Sequence, residues 1–243
     1  MAAEKPCAAI FITGTDTGVG KTLVAAALAC HFSSQGLKVG VMKPIETGVT
    51  DPAKLGADAA LLRWSAESAD DIELISPYRF PQPVAPCQAA TAAGEQIDTD
   101  KIIAAYHALR HGKDIVLVEG AGGLMVPIRG GYIMADLARQ MGLPLLVITH
   151  PRLGTLNHTL LTTFAARAMD LELSGLIINQ MPDNPGEAER EAPHLLASLA
   201  SADLLGVLPE VAGNEYEKVK ILAGEIEKMP AYRWLLNGLG LHH

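Results

Sequence analysis

Short, nearly all-apolar runs recur along the chain and predict six strands. Runs of this kind are typical of parallel strands covered on both faces, because neither face meets water. Each run stops at a Gly, a Pro or a polar residue, as expected where a strand leaves the core. The predicted strands are AAIFIT (8–13), LKVGVMK (37–43), DIVLVEG (114–120), LPLLVIT (143–149), LSGLIINQ (173–180) and ADLLGVLP (202–209).

Stretches with helical spacing lie between most of these runs. An Ala- and Leu-rich segment runs from Lys21 to a stop at Gly36, and shorter helices are predicted for Asp58–Trp64 and 98–110. The Pro-rich passage 76–90 is predicted to be loop. In 155–169 one helical face carries Leu156, Leu160, Leu161, Phe164, Ala165 and Ala168.

Alternating strands and helices predict an α/β fold with a mostly parallel sheet and helices on both faces. No repeat and no linker interrupts the pattern, so we expect a single domain over 1–243. Apolar residues recur at helical spacing in the tail beyond Gly213 and predict an amphipathic helix: Tyr216, Val219, Leu222, Ala223 and Ile226. We expect this helix to pack on the body of the protein or on a partner subunit. His242 and His243 are left out of this interpretation.

Composition narrows the possible partners. The 243 residues are 49% hydrophobic and carry a net charge of −8, which disfavours nucleic acid and anionic membranes as partners. No apolar stretch approaches the roughly 20 residues that span a bilayer, and the start lacks a signal-peptide pattern. We therefore expect a soluble, cytoplasmic protein. Its three isolated cysteines, Cys7, Cys30 and Cys87, predict neither a disulfide framework nor a CxxC metal site.

The segment FITGTDTGVGKT (11–22) predicts a phosphate-binding loop between the first strand and the first helix. Glycines let backbone N–H groups approach phosphate oxygens, a lysine supplies a mobile positive charge, and a Thr hydroxyl can bind Mg²⁺. Gly18, Gly20, Lys21 and Thr22 meet these needs. Thr15 stands where the usual pattern has its first glycine, with Gly14 one position earlier. The loop indicates a P-loop NTPase-like fold but does not name a reaction.

Polar residues after the other strands are candidates for the same site, because ligands bind at the carboxyl ends of parallel strands. Lys43 follows the second strand and Glu119 the third. A carboxylate there can hold Mg²⁺, and a second lysine can neutralise charge at the transfer point. Taken alone, Lys43 is more typical of a solvated lysine before a turn, and Asp58 is equally typical of a helix N-cap with Ala57 outside the helix.

Five segments in this order resemble dethiobiotin synthetase: TGTDTGVGKT, KPIETG, GAD with Asp58, LVEGAGGLMVPI and LGTLNHTLLT. The resemblance covers residues 10 to 211 and includes the spacing around Thr15. Family members use ATP and Mg²⁺ to close the ureido ring of dethiobiotin from CO₂ and 7,8-diaminononanoate. CO₂ forms a carbamate on one amine, the γ-phosphate activates it as a carbamic–phosphoric anhydride, and the second amine displaces phosphate. The segment 212–243 diverges from the family.

The resemblance assigns roles to the catalytic and metal positions. It implies that Lys21 contacts the β- and γ-phosphates and that Lys43 lies between the carbamate and the γ-phosphate. Thr15 and Thr47 correspond to the carbamate donors. Thr22, Asp58 and Glu119 correspond to the Mg²⁺ ligands.

The resemblance also implies where nucleotide and substrate bind. The triphosphate segments are Gly18, Val19, Gly20, Lys21, Thr22 and Leu23, flanked by Glu119, Gly120, Ala121 and Gly122. The adenine positions are Asn179 and Gln180, with Pro209, Glu210 and Val211 covering the base; Gln180 and Glu210 depart from the commoner Asp and aromatic residues. The family forms homodimers, in which Gly154, Thr155 and Asn157 of the partner would bind the substrate carboxylate.

Three other classes of protein are compared with this pattern. ATPases that partition chromosomes or place division sites have a similar loop, but with an additional early lysine where this chain has Thr15 and Asp16. Ligases that act on larger cofactor precursors usually carry a glutaminase domain, for which this chain has no room. A guanine-specific switch would need an NKxD-type motif, which NQMPD (179–183) resembles poorly.

Overall fold

A computed structural model describes residues 7–239 and 241, so His242 and His243 lie outside the described residues. Six strands form one parallel sheet in the order β10-β9-β8-β1-β5-β2, and two further pairs are short. The strands are β1 Ala8–Gly14, β2 Val39–Met42, β3 Ile45–Thr47, β4 Tyr78–Phe80, β5 Ile115–Gly123, β6 Pro127–Arg129, β7 Tyr132–Ile133, β8 Leu145–Thr149, β9 Leu173–Met181 and β10 Leu204–Pro209.

Helices connect these strands and cover the sheet. Within the described residues, no helix is both long and apolar enough to cross a membrane. The helices are α1 Lys21–Ser34, α2 Ala57–Ser65, α3 Ile72–Ile75, α4 Pro86–Ala92, α5 Thr99–Leu109, α6 Met134–Met141, α7 Thr155–Ala168, α8 Glu187–Leu199, α9 Glu215–Ile226 and α10 Tyr232–Gly238.

The sheet separates two large apolar cores. On β1, Ile10 and Ile12 belong to one core and Phe11 to the other, as expected because successive side chains point to opposite faces. Helices α1, α2, α9 and α10 contribute to the first core, whereas α4, α5 and α6 contribute to the second. The predicted fold class is confirmed, and the six predicted strands are the six strands of the main sheet.

The Pro-rich passage 76–90 was wrongly predicted to be loop throughout. It contains β4, which pairs in parallel with β3, and the start of α4, whose first residue is Pro86. Proline is favoured at the first helical position because its missing N–H would have no intrahelical partner there. The short strand escapes a search for alternation, since three residues are too few to show a period.

The apolar residues on one face of α7 are buried only in part: Leu160 and Ala165 pack half-buried against the core. Helix α7 forms close to its predicted bounds, but its buried residues are Thr155, Thr159, Thr163 and Ala166. Leu161 and Phe164 are 59% and 63% exposed. The tail helix α9 follows its prediction more closely, because Val219, Leu222 and Ile226 are buried in the core that also contains α1. Cys7, Cys30 and Cys87 are half-buried free thiols, and Cys7 and Cys30 pack against the two cores.

Candidate active site

The loop between β1 and α1 has a backbone that requires glycine. Gly18 and Gly20 adopt φ angles of 76° and 85°, in the left-handed region that side chains disfavour. A Cβ on Gly20 would lie 2.1 Å from Nδ2 of Asn179. Helix α1 begins directly after Gly20 without a side-chain cap. Its first amide groups therefore offer an N-terminus of the kind that binds phosphate.

Strand β9 holds this loop in place. The Asn179 side chain donates from Nδ2 to the carbonyl of Val19 at 3.1 Å, and Gln180 donates from Nε2 to the carbonyl of Gly18 at 3.3 Å. Asn179 is fully buried, and its Oδ1 has no hydrogen-bond partner among the described residues. Both residues predicted to contact adenine thus lie against the phosphate loop and bind the carbonyls of two consecutive residues, Gly18 and Val19.

Three charged side chains meet at the carboxyl ends of β2 and β5. Nζ of Lys43 lies 2.6 Å from Oε1 of Glu119 and 2.8 Å from Oδ2 of Asp58. The hydroxyl of Thr22 donates to the same Glu119 oxygen at 2.8 Å. Lys43 and Glu119 are almost completely buried. The structure therefore brings together all three predicted metal ligands and one predicted catalytic lysine.

The surroundings shift the pKa values of the two lysines of the site in opposite directions. Burial alone would lower the pKa of Lys43, but the carboxylates of Glu119 and Asp58 raise it above its ordinary value. Burial lowers the pKa of Lys21, and the charge of Glu119 only partly offsets this. Nζ of Lys21 donates to the carbonyl of Asp16 at 3.0 Å, within the loop itself. Bound phosphate would supply the negative charge that favours protonated Lys21.

Glu46 is a site residue that the sequence-based assignment left out, although it lies in the KPIETG segment. Its carboxylate accepts hydrogen bonds from the amides of Asp58 at 2.8 Å and Ala59 at 3.2 Å. Burial raises the pKa of Glu46, while these two amides favour its charged form. Asp58 is not the N-cap of α2, because the helix begins at Ala57 after Gly56. Glu46 instead caps the helix from a distance and orients its first turn.

The donor set around Glu119 fits Mg²⁺. Oε2 of Glu119 is buried and lacks a hydrogen-bond partner among the described residues, while its other oxygen accepts from Thr22 and Lys43. Carboxylate and hydroxyl oxygens are the hard ligands that Mg²⁺ prefers. Within residues 7–239 and 241, no three His, Cys, Asp or Glu side chains form a metal cluster. Mg²⁺ would accordingly take its remaining ligands from phosphate and water, as is usual in nucleotide sites.

A buried threonine joins the phosphate loop to the start of α7. Oγ1 of Thr149 lies 3.0 Å from that of Thr15, 2.7 Å from that of Thr155 and 3.0 Å from that of Thr159. Thr149 is fully buried at the end of β8. Its hydroxyl is thus shared among two predicted site residues and one further threonine. The sequence placed Thr149 at the end of a predicted strand but gave no sign of this network.

The remaining predicted residues lie around this centre with fewer contacts. Thr47 ends β3 half-buried, and Gly120, Ala121 and Gly122 lie in the last part of β5. At the other end of the sheet, Pro209 ends β10, and Glu210 is exposed and donates its amide to the carbonyl of Met181 at 2.8 Å. Gly154 and Asn157 are exposed at the start of α7, and Leu23 and Val211 pack half-buried against the core.

Comparison with known proteins gives matches over most of the chain. A protein family described as "AAA domain" matches residues 8–218. The ATP-dependent dethiobiotin synthetase BioD of Thermodesulfovibrio yellowstonii is 41% identical over 222 residues, covering 87% of this chain and 92% of the relative. BioD of Bacillus subtilis strain 168 is 34% identical over 209 residues, covering 86% and 90%.

Solved structures with a similar fold have much less sequence in common. The MinD cell division protein of Aquifex aeolicus superposes with a TM-score of 0.57 at 16% identity, covering 96% of each chain. A ParA family ATPase from Chlorobium tepidum gives a TM-score of 0.56 at 13% identity, covering 96% of this chain and 98% of that one. At these identities the likeness concerns the fold alone.

Proposed function

The chain belongs to the ATP-dependent dethiobiotin synthetases, ligases that form C–N bonds, and on this premise we propose how its own residues carry out the reaction. The proposed substrates are 7,8-diaminononanoate, CO₂ and ATP, and the products are dethiobiotin, ADP and phosphate. The observation that carries the proposal is the buried contact of Lys43 with Asp58 and Glu119, next to the phosphate loop.

The first step joins CO₂ to one amine of the substrate as a carbamate. A carbamate oxygen then attacks the γ-phosphorus, breaking its bond to the ADP oxygen and giving a carbamic–phosphoric anhydride. The second amine attacks the carbonyl carbon, loses a proton, and expels phosphate as the ring closes. Both nucleophiles belong to the substrate, so the protein's task is alignment and charge neutralisation.

Charge neutralisation falls to the two lysines. Carbamate and triphosphate are both anions and repel each other at the distance needed for attack. Lys21, at the first position of α1, is assigned to the β- and γ-phosphates, and Lys43 to the oxygens between the carbamate and the γ-phosphorus. Because Lys43 is buried, its ammonium acts through a medium of low effective dielectric, where its attraction for both anions is stronger than in water.

The other assignments follow the positions of the side chains. Thr22, Asp58 and Glu119 would hold Mg²⁺, which neutralises phosphate charge when bound. Thr15 and Thr47 are assigned to the carbamate. The backbone of residues 18–23 and 119–122 is assigned to the triphosphate, and residues 179–180 and 209–211 to the adenine side of the nucleotide.

We also propose that the active protein is a homodimer in which α7 lies at the interface. Leu153, Leu161 and Phe164 are large apolar side chains that are 93%, 59% and 63% exposed. Exposed apolar surface of this kind is typical of a protein interface. Gly154, Thr155 and Asn157 begin the same helix and would bind the substrate carboxylate of the partner at its N-terminus.

A steady-state assay tests the proposed reaction. Purified protein with ATP, Mg²⁺ and bicarbonate should release phosphate only when 7,8-diaminononanoate is added, with one phosphate formed for each dethiobiotin. Phosphate release without the diamine, stimulated instead by lipid vesicles or DNA, would favour the second candidate, a spatial-regulation ATPase. The fold likeness to MinD and ParA proteins supports that candidate only at the level of the fold.

A further inference from the structure

A cavity lies on the outer side of α2, away from the candidate active site. Its volume is about 830 Å³, within the usual size of small-molecule sites. None of the residues that line it belongs to the site described above. Its walls come from α1, the segment before α2, α2 itself, the start of α3 and the tail helix α9; they include Cys30, Leu55, Arg63, Trp64, Ile72 and Lys220.

The aromatic wall of this cavity is Trp64. Its side chain is 38% exposed, and its ring is held edge-to-face against Tyr216 of α9 at 4.7 Å between centroids. Leu55 and Ile72 add half-buried apolar surface to the lining. A rigid, partly exposed indole beside aliphatic side chains is a surface on which a flat ring can pack.

The charged lining is positive although the chain as a whole is negative. Lys54, Arg63 and Lys220 are its cations and Glu67 is its one acidic residue among the described lining residues. Lys54 pairs with Asp51 at 3.1 Å, whereas Arg63 and Lys220 have no ion pair within the described part of the chain. Nζ of Lys220 lies 5.7 Å from the centroid of the Trp64 ring. Two uncompensated cations therefore flank the aromatic surface.

From this combination we propose that the cavity is a binding site for a small planar aromatic carboxylate. The ring would pack against Trp64, and the carboxylate would pair with Arg63, whose guanidinium can bind both oxygens, and with Lys220. Part of the site lies outside the common family region, because the family match ends at residue 218 and Lys220 follows it. The site is independent of the proposed reaction.

Nicotinate and nicotinamide form a matched pair of probes, because they share a ring and differ in charge. The protein has two tryptophans, so in a Trp234→Phe variant the single indole N–H signal in a ¹⁵N NMR spectrum reports on Trp64. Nicotinate should shift this signal saturably with a Kd below about 1 mM, a weak but specific affinity. Nicotinamide should bind at least tenfold more weakly, and saturating Mg–ATP should leave the nicotinate titration unchanged.

Two variants that each remove one cation from the lining test whether nicotinate binds in this cavity. In the Trp234→Phe background, Arg63→Ala and Lys220→Ala should each weaken nicotinate binding at least fivefold. Lys228→Ala is the control, because its Nζ pairs with Glu225 at 2.8 Å and the residue does not line this cavity. Thermal melting would establish that each variant is folded. A signal that does not saturate, equal affinity for both probes, displacement by ATP, or binding insensitive to Arg63→Ala and Lys220→Ala would each overturn the proposal.

Discussion

Lys43 owes its position to two acidic residues that come from different parts of the chain. Glu119 lies in β5, between β1 and β2 in the sheet, whereas Asp58 lies in the first turn of α2. Neither contact is visible in the sequence, although each residue can be singled out there as a polar residue near a strand end or a helix start. The pairing explains how a lysine can be kept charged while almost completely buried.

Lys43→Ala should affect both catalysis and stability. We expect kcat to fall more than a hundredfold, equivalent to about 2.7 kcal/mol of transition-state stabilisation, while ATP still binds. We also expect the variant to unfold more easily, by about 3 kcal/mol, because buried Glu119 loses its cation. Initial-rate assays measure kcat, an ATP titration measures nucleotide binding, and urea unfolding measures the free energy of unfolding.

The outcome that contradicts this account of Lys43 is near-normal turnover in a folded variant. Lys54→Ala is the matched control, since Lys54 is exposed and pairs only with Asp51 on the surface. That variant should keep wild-type kcat and lose little stability, as surface ion pairs contribute at most about 1 kcal/mol.

A substitution at Thr149 tests whether the hydroxyl network between the phosphate loop and α7 matters for activity. Thr149→Val keeps the shape of the side chain but removes the hydroxyl shared by Thr15, Thr155 and Thr159. We expect a stability loss of about 1–3 kcal/mol, because buried hydroxyls lose a partner. We further expect kcat to drop about tenfold, equivalent to about 1.4 kcal/mol, since Thr15 is no longer held.

Thr149→Ser is the control for this variant, because it restores the hydroxyl and removes only a methyl group. Its kcat should return to within about twofold of wild type, a difference of about 0.4 kcal/mol. If the Val and Ser variants have the same kcat, the network plays no part in positioning Thr15.

At the scale of elements, the start of α2 is organised by Glu46 rather than by its own N-cap. A Cβ on Gly56 would lie within 2.3 Å of Oε1 of Glu46, so the glycine leaves room for the carboxylate to reach the amides of Asp58 and Ala59. This arrangement fixes the direction of Asp58 toward Lys43. Gly56, which precedes the helix, and Glu46, which caps it, are thus ten positions apart in the sequence.

Glu46→Ala should loosen the first turn of α2. We expect a stability loss of about 1 kcal/mol, the usual value for a lost N-cap, and a several-fold higher Mg²⁺ concentration at half-maximal activity. Asp98→Ala is the matched control, because Asp98 caps α5 by accepting from the amide of Asp100. The control should lose comparable stability with an unchanged Mg²⁺ requirement. An unchanged requirement in Glu46→Ala would mean that the cap does not orient Asp58.

Elements that carry their own sequence signal were predictable, and those defined by tertiary contacts were not. Strand β1 and helix α1 follow from an apolar run, a glycine turn and an Ala-rich helix. The apolar spacing in 155–169 predicts the helix but not its buried side, because Phe164 is exposed and threonines are buried. Thr155 and Thr159 share hydrogen bonds with Thr149, and Thr163 donates to the carbonyl of Leu160, none of which periodicity reveals.

At the scale of the whole molecule, the exposed apolar side of α7 tests the proposed dimer. Phe164→Glu places a charge there and should convert the dimer to a monomer in light-scattering measurements. The KM for the diamine should rise at least tenfold, equivalent to about 1.4 kcal/mol, because the partner's α7 no longer contributes to the site, while ATP binding persists.

Leu199→Glu is the control for the dimer, because Leu199 is also exposed, at 53%, but ends α8. It should leave the dimer and the kinetic constants unchanged. A Phe164→Glu variant that remains dimeric, or a monomer with an unaltered KM, would contradict the placement of α7 at the interface.

The transfer of labelled oxygen tests the central claim most directly, namely that a carbamate oxygen attacks the γ-phosphorus. In this mechanism the C–O bond of the anhydride breaks when the second amine attacks, so the bridging oxygen leaves with phosphate. With ¹⁸O-labelled CO₂ supplied faster than it exchanges with water, each phosphate released should carry one ¹⁸O atom by mass spectrometry. Phosphate that carries only oxygen from ATP and water would contradict the account.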